Sequence, residues 1–272
     1  MSSKDADQPL VNEVTIRHLH RAKFVLFVLH FLTFIGQLIL VAAANNTFEF
    51  NATIISVSRI GPVDDSLTPG SVITNEASFS VEYLFAATNL FAALAFLVCI
   101  FYDDAELAYL STGRMPYVWL FYWLSAVPLH LAVALVAGVA DFYLLVMLTA
   151  VITAACFMCW IMAYIQIADV ETAFVRTFYF LAIAFVTVVY TLVIISHVSI
   201  KVNSGGPSIH LLPVIVSSVF DLILLIVLFG EFVGWFWSNT TLVLIYCFTS
   251  IDVMLVTWLG LITFATDGIT YP

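Results

Sequence analysis

The stretch Thr241–Asp267, TLVLIYCFTSIDVMLVTWLGLITFATD, decides the fold. It stays apolar for longer than the ~20 residues that a helix needs to cross the hydrocarbon core of a bilayer. One carboxylate, Asp252, stands near its middle, and it contains no lysine. An ionisable side chain at that depth is costly, so it marks either a hydrogen-bonded joint or a functional site.

Six further runs precede this one, at 24–44, 83–103, 117–138, 142–165, 177–199 and 211–235, and with 242–265 they give seven candidate spans. Each suits a membrane-crossing helix. The chain is 63% hydrophobic and 10% charged, whereas soluble domains run at roughly half and a quarter. A soluble enzyme or binding module is excluded. The expectation is an all-α, seven-transmembrane-helix bundle forming a single domain over 1–272.

Orientation is read from lysine and arginine, not from the net charge of −10. An odd number of spans puts the termini on opposite sides. With residues 1–22 as a cytoplasmic tail, the cytoplasmic side holds Lys4, Arg17, Arg21, Lys23, Arg114 and Arg176, and the far side only Arg59 and Lys201. That asymmetry predicts a cytoplasmic N-terminus and an extracytoplasmic C-terminus. No short apolar segment with a small-residue cleavage site opens the chain, so no secretory signal is expected. The bilayer is the expected surrounding, and no nucleic-acid partner is expected.

The segment 45–82 is the one long connection and falls outside. Ala52–Ile60 and Ser71–Thr74 are rich in β-branched residues, with Gly61-Pro62 and Pro69-Gly70 as turns, which predicts a short β-hairpin. Asn45 and Asn51 stand in N-x-T sequons, in keeping with that face; Asn239 forms another on the cytoplasmic side. Gly138–Asp141 is so short a connection that the third and fourth spans must be antiparallel neighbours. Pro128 and Pro213 are candidate kinks, which membrane bundles tolerate.

The ionisable residues within the spans are His30, His130, Asp221 and Asp252, with Glu82 and Glu231 nearer helix ends. Asp221 and Asp252 each lie about ten residues into their spans from opposite sides, hence near mid-depth at ~1.5 Å rise per residue. Adjacent helices then bring them together. Two readings stand. They form a proton-binding pair that holds at least one proton, since two unpaired charges at that depth are prohibitive. Otherwise each is a protonated carboxyl bonded to a hydroxyl such as Thr249, Ser250 or Ser217, joining helices. His30, His130 and Asn89 read as packing donors. Cys99, Cys156, Cys159 and Cys247 lie in apolar runs as small hydrophobes, and the Cys156/Cys159 pair lacks the further soft ligands a metal requires. No metal is expected. The aromatics of Tyr117–Trp123 serve either as an interfacial belt or as the wall of a pocket for a flat apolar ligand.

Spans three and four carry a resemblance. Tyr117–Ala163 opens YVWLFYWLSA and turns through Gly138-Val139-Ala140-Asp141 into an alanine- and methionine-rich run. It resembles the heliorhodopsin family, whose third helix opens with a WVEYSFSA-like motif before a G-[IV]-A-D junction. Trp119, Tyr122, Ser125, Ala126, Gly138, Ala140 and Asp141 fall on that pattern, and LHFL around His30 matches a histidine of the family's first helix. The resemblance implies a rhodopsin-like bundle and a homodimer contacting through the 45–82 loop and helices four and five. It also exposes two departures. Phe121 stands where the family has its counterion glutamate, and Val253 stands near the position of the retinal lysine, counting back from Trp258. Lys4, Lys23 and Lys201 are the only lysines, and none is expected mid-membrane. Covalent retinal is therefore excluded and no cofactor is expected.

The leading expectation is a chromophore-free, heliorhodopsin-like protein that is not photoactive and acts by interaction or regulation, its membrane or cytoplasmic protein partner unknown. The alternative is a proton or ion conductor, or a binder of small apolar ligands, built on Asp252, Asp221 and His130. An intramembrane enzyme ranks last, because neither HExxH nor G-x-S-x-G falls in a span.

Overall fold

The structure, a computed structural model, describes residues 13–44, 52–59, 71–79, 81–101, 117–137, 139, 142–167, 172–204, 211–233 and 238–267. Seven helices are described: α1 (Glu13–Ala44), α2 (Val81–Phe101), α3 (Tyr117–Val136), α4 (Phe142–Ile167), α5 (Thr172–Ser204), α6 (Leu211–Val233) and α7 (Ser238–Asp267). Six are long and apolar enough to cross a membrane; in α3 the apolar run is the shorter Tyr122–Val136. The outer surface is apolar, with Phe24, Leu32, Ile39, Tyr143 and Phe180 all more than half exposed. Water would not tolerate such a surface and lipid favours it. The chain is a multi-pass integral membrane protein.

Consecutive helices are neighbours around a closed ring, in which α7 also meets α1, and α2 and α3 both reach inward to α7. The buried apolar residues form two layers along the bundle. One contains Leu19, Phe96, Cys159, Ala182, Leu228 and Leu242; the other contains Val41, Val81, Leu145, Val193, Val214 and Leu261. Each helix contributes its start to one layer and its end to the other, in alternation, as an up-and-down bundle requires. Asp221 lies between Val214 of one layer and Leu224 of the other, so its carboxyl falls midway along the bundle.

Two boundaries differ from expectation. Helix α1 starts at Glu13, inside the stretch read as tail, because Leu19 packs into the first layer and extends the helix beyond the apolar run. Lys23, expected at the helix edge, is fully buried, with Nζ 3.5 Å from the carbonyl oxygen of Cys99 in the last turn of α2. A cation there meets the negative end of that helix's dipole.

Strands β1 (Ala52–Arg59) and β2 (Ser71–Phe79) pair antiparallel, and β1 lies against α4. The register passes from Ile54↔Ala77 to Ile55↔Asn75, leaving Glu76 as the extra residue of a bulge. Helix α3 ends with Val139 N–H donating to Ala134 O at 2.9 Å, the six-to-one bond of a Schellman turn. Gly138 lies outside the described residues. Between α2 and α7 a ring packs directly onto backbone: a Cβ on Gly260 would strike the ring of Phe85, itself fully buried. The sequons at Asn45 and Asn51 also lie outside the described residues.

Candidate functional site

Asp221, from α6, is the hub of one polar cluster. Tyr122 from α3 donates to its Oδ1 at 3.0 Å, Tyr190 from α5 donates to its Oδ2 at 2.7 Å, and His130 Nε2 lies 3.0 Å from that same Oδ2. Ser217, one turn earlier on α6, lies 3.0 Å from the Tyr190 hydroxyl. The other imidazole nitrogen decides the chemistry. His130 Nδ1 is 2.7 Å from the carbonyl oxygen of Ala126. A carbonyl only accepts, so Nδ1 carries hydrogen. One further proton must then lie between Nε2 and the carboxyl, because two bare acceptors repel. It sits either on the carboxyl, beside a neutral imidazole, or on Nε2, beside a carboxylate. Both states satisfy the same contacts, and the pair is neutral overall in either.

A second cluster joins α1, α2 and α7. Asn89 Oδ1 accepts from His30 Nδ1 at 3.0 Å, and Asn89 Nδ2 donates to Gln37 Oε1 at 3.0 Å and to Thr257 Oγ1 at 2.9 Å. Gln37 Nε2 also donates to Thr257 Oγ1 at 2.9 Å, and that hydroxyl donates to Val253 O at 2.7 Å. His30 stacks on Phe96. His30, Gln37, Asn89 and Thr257 are all fully buried.

The expected residues thus separate. Asp221 and His130 come together, while His30 belongs to the other cluster with Asn89. Asp252 is fully buried, and neither of its oxygens has a hydrogen-bond partner among the described residues. It shares no bond with Asp221, whose partners come from α3 and α5 instead. The hydroxyls expected to serve the two carboxyls are engaged elsewhere or unspent: Thr249 donates to Ile245 O, Ser217 pairs with Tyr190, and Ser250 Oγ has no partner among the described residues. Glu82 is buried in the first turn of α2; Val253 is packed in the core. The side chains of Phe121 and Glu231 lie outside the described ones.

Of the aromatic stretch, Tyr122 turns inward to the carboxyl and Trp123 donates to Thr153 Oγ1 at 3.0 Å. Sequence reasoning missed Gln37 and Thr257, and missed Tyr190 as a carboxyl partner. One signal for Gln37 was available: Lys23, His30 and Gln37 stand seven residues apart, and all three are fully buried. They form a polar seam on a helix whose other faces are apolar.

A cavity of about 50 Å³ lies between α3, α4, α5 and α6, with the Asp221 cluster on one wall and Ala155, Cys156, Cys159 and Leu224 among its apolar lining. Cys156 and His130 share this space, but both imidazole nitrogens are already bonded, so none remains to activate the thiol. Among the described residues no group of side chains has the composition of a metal site. No known family model matches the chain, and neither does any curated protein.

Proposed function

We propose that this chain is a seven-span, chromophore-free, heliorhodopsin-like protein, with its N-terminus cytoplasmic, its C-terminus extracytoplasmic and a homodimeric assembly, acting as a non-photoactive interaction or regulatory protein of its membrane. One observation chiefly supports this. The middle of the bundle is occupied by a His130–Asp221 pair and two tyrosines, with Val253 packed as core, while the described interior lysine, Lys23, is drawn to the end of α2. A retinal Schiff base needs a mid-depth amine, and among the described residues no lysine stands at mid-depth. The test is incubation of the purified protein with all-trans retinal, borohydride trapping and peptide mass spectrometry. No adduct is expected within a span, and one found there overturns the reading. Single-molecule photobleaching in native membrane is expected to show two steps.

A second reading, proton carriage, is favoured by the 3.0 Å contact between His130 Nε2 and Asp221 Oδ2. It moves the site from an Asp221–Asp252 pair to a His130–Asp221 pair. Proton flux into liposomes that Asp221→Asn abolishes supports it; equal flux in both proteins removes it.

A further inference from the structure

The bundle contains a second cavity, of about 30 Å³, between α1, α2, α3 and α7. It differs from the first in the state of its polar lining. Around the first cavity, Tyr122, His130, Tyr190 and Asp221 bond to one another. Around the second, two fully buried polar atoms have no partner among the described residues: His30 Nε2 and Ser250 Oγ. Leaving such atoms unsatisfied costs about 1–3 kcal/mol each.

The neighbouring network fixes what His30 asks for. Both Nδ2 hydrogens of Asn89 are committed, to Gln37 and to Thr257, so the atom facing His30 is the carboxamide oxygen. That oxygen only accepts, so His30 Nδ1 carries hydrogen. In the neutral imidazole Nε2 is then a bare lone pair, and His30 lines the cavity. Ser250 offers a hydroxyl hydrogen from α7. Two more hydroxyls on the lining have already donated, Ser125 to Tyr122 O and Thr249 to Ile245 O, and each oxygen remains able to accept.

We infer that this cavity is a buried water site, in which one or two molecules bridge His30 Nε2 to Ser250 Oγ. A water there donates to Nε2, donates again to the Ser125 or Thr249 oxygen, and accepts from Ser250. That makes three hydrogen bonds, the usual number for an internal water. A water requires about 10–15 Å³ of such volume, so the cavity has room for roughly two. Asp252 does not line the cavity, and the site does not need it. The inference is independent of the heliorhodopsin-like reading.

The test uses full-length protein in lipid bilayers with ¹⁵N-labelled histidine, observed by solid-state NMR with polarisation transfer from water. The His30 signal is assigned by its loss in His30→Phe or, if that variant does not fold, by its correlation to the Asn89 carboxamide. The expected result is a neutral ring protonated at Nδ1, with Nε2 receiving polarisation from water, and at least a twofold loss of that transfer in Ser250→Ala. A ring protonated at Nε2, absent transfer from water, or transfer unchanged in Ser250→Ala would each overturn the inference.

Discussion

In the α1–α2–α7 network each hydrogen bond has one direction, whereas in the α3–α5–α6 cluster one proton has two possible seats. Thr257 receives two amide hydrogens and sends its own to Val253 O, so nothing there can reverse without breaking a bond. Between His130 and Asp221 the proton can move from nitrogen to oxygen with every contact kept. The difference lies in residue type. Amides and alcohols hold their hydrogens, while an imidazole facing a carboxyl does not. The first group is an adhesive between helices; the second can also respond.

The largest effect is expected from Asp221→Leu, which strips three partners from one buried hub. A loss of about 3 kcal/mol or more follows from breaking such a pair, read as reversible unfolding in bicelles. Asp221→Asn sharpens the contrast. Its amide donates to the neutral imidazole at Nε2, so most of the stability is expected to remain. A loss as large as that of Leu would mean that the pair is ionised. Next comes Gly260→Ala, whose new methyl meets the Phe85 ring; overpacking of this kind costs roughly 2 kcal/mol, and Phe85→Leu in the same chain is expected to restore much of it. In the directional network, Asn89→Leu removes three bonds and is expected to cost roughly 1–2 kcal/mol, given the modest worth of single bonds between membrane helices. Its effect should not vary with pH while His30 stays neutral. A pH-dependent effect would erase the distinction between the two groups. The smallest change, about 0.6 kcal/mol, is expected from Thr153→Val, which unpairs the Trp123 indole outside both groups.

The spans were legible because length and apolarity alone define them, and the runs at 142–165 and 211–235 fall within two residues of the ends of α4 and α6. Position along a helix was legible too, since it follows from counting residues, and Asp221 falls between the two core layers. Rotation was not. Asp221 and Asp252 were placed at one level, yet which face each presents depends on how the helices turn against one another, and that brought Asp221 to His130 and Tyr190. Tyr190 resembles any aromatic of an apolar helix until its hydroxyl finds a carboxyl. Gln37 was hidden for a different reason: an uncharged amide raises no alarm among apolar neighbours, and only its seven-residue spacing from His30 marks it.

The polar seam of α1 has a bearing on how the chain is made. Gln37 and Thr257 are 220 residues apart, so the acceptor that completes the network leaves the ribosome long after the amide it serves. Until α7 arrives, amide hydrogens of Gln37 and Asn89 lack the oxygen they share in the finished bundle. A nascent or truncated chain without α7 therefore presents hydrogen-bonding groups inside the bilayer. Those groups are a physical mark of incompleteness that membrane quality control can read, and one that disappears when Thr257 closes the ring.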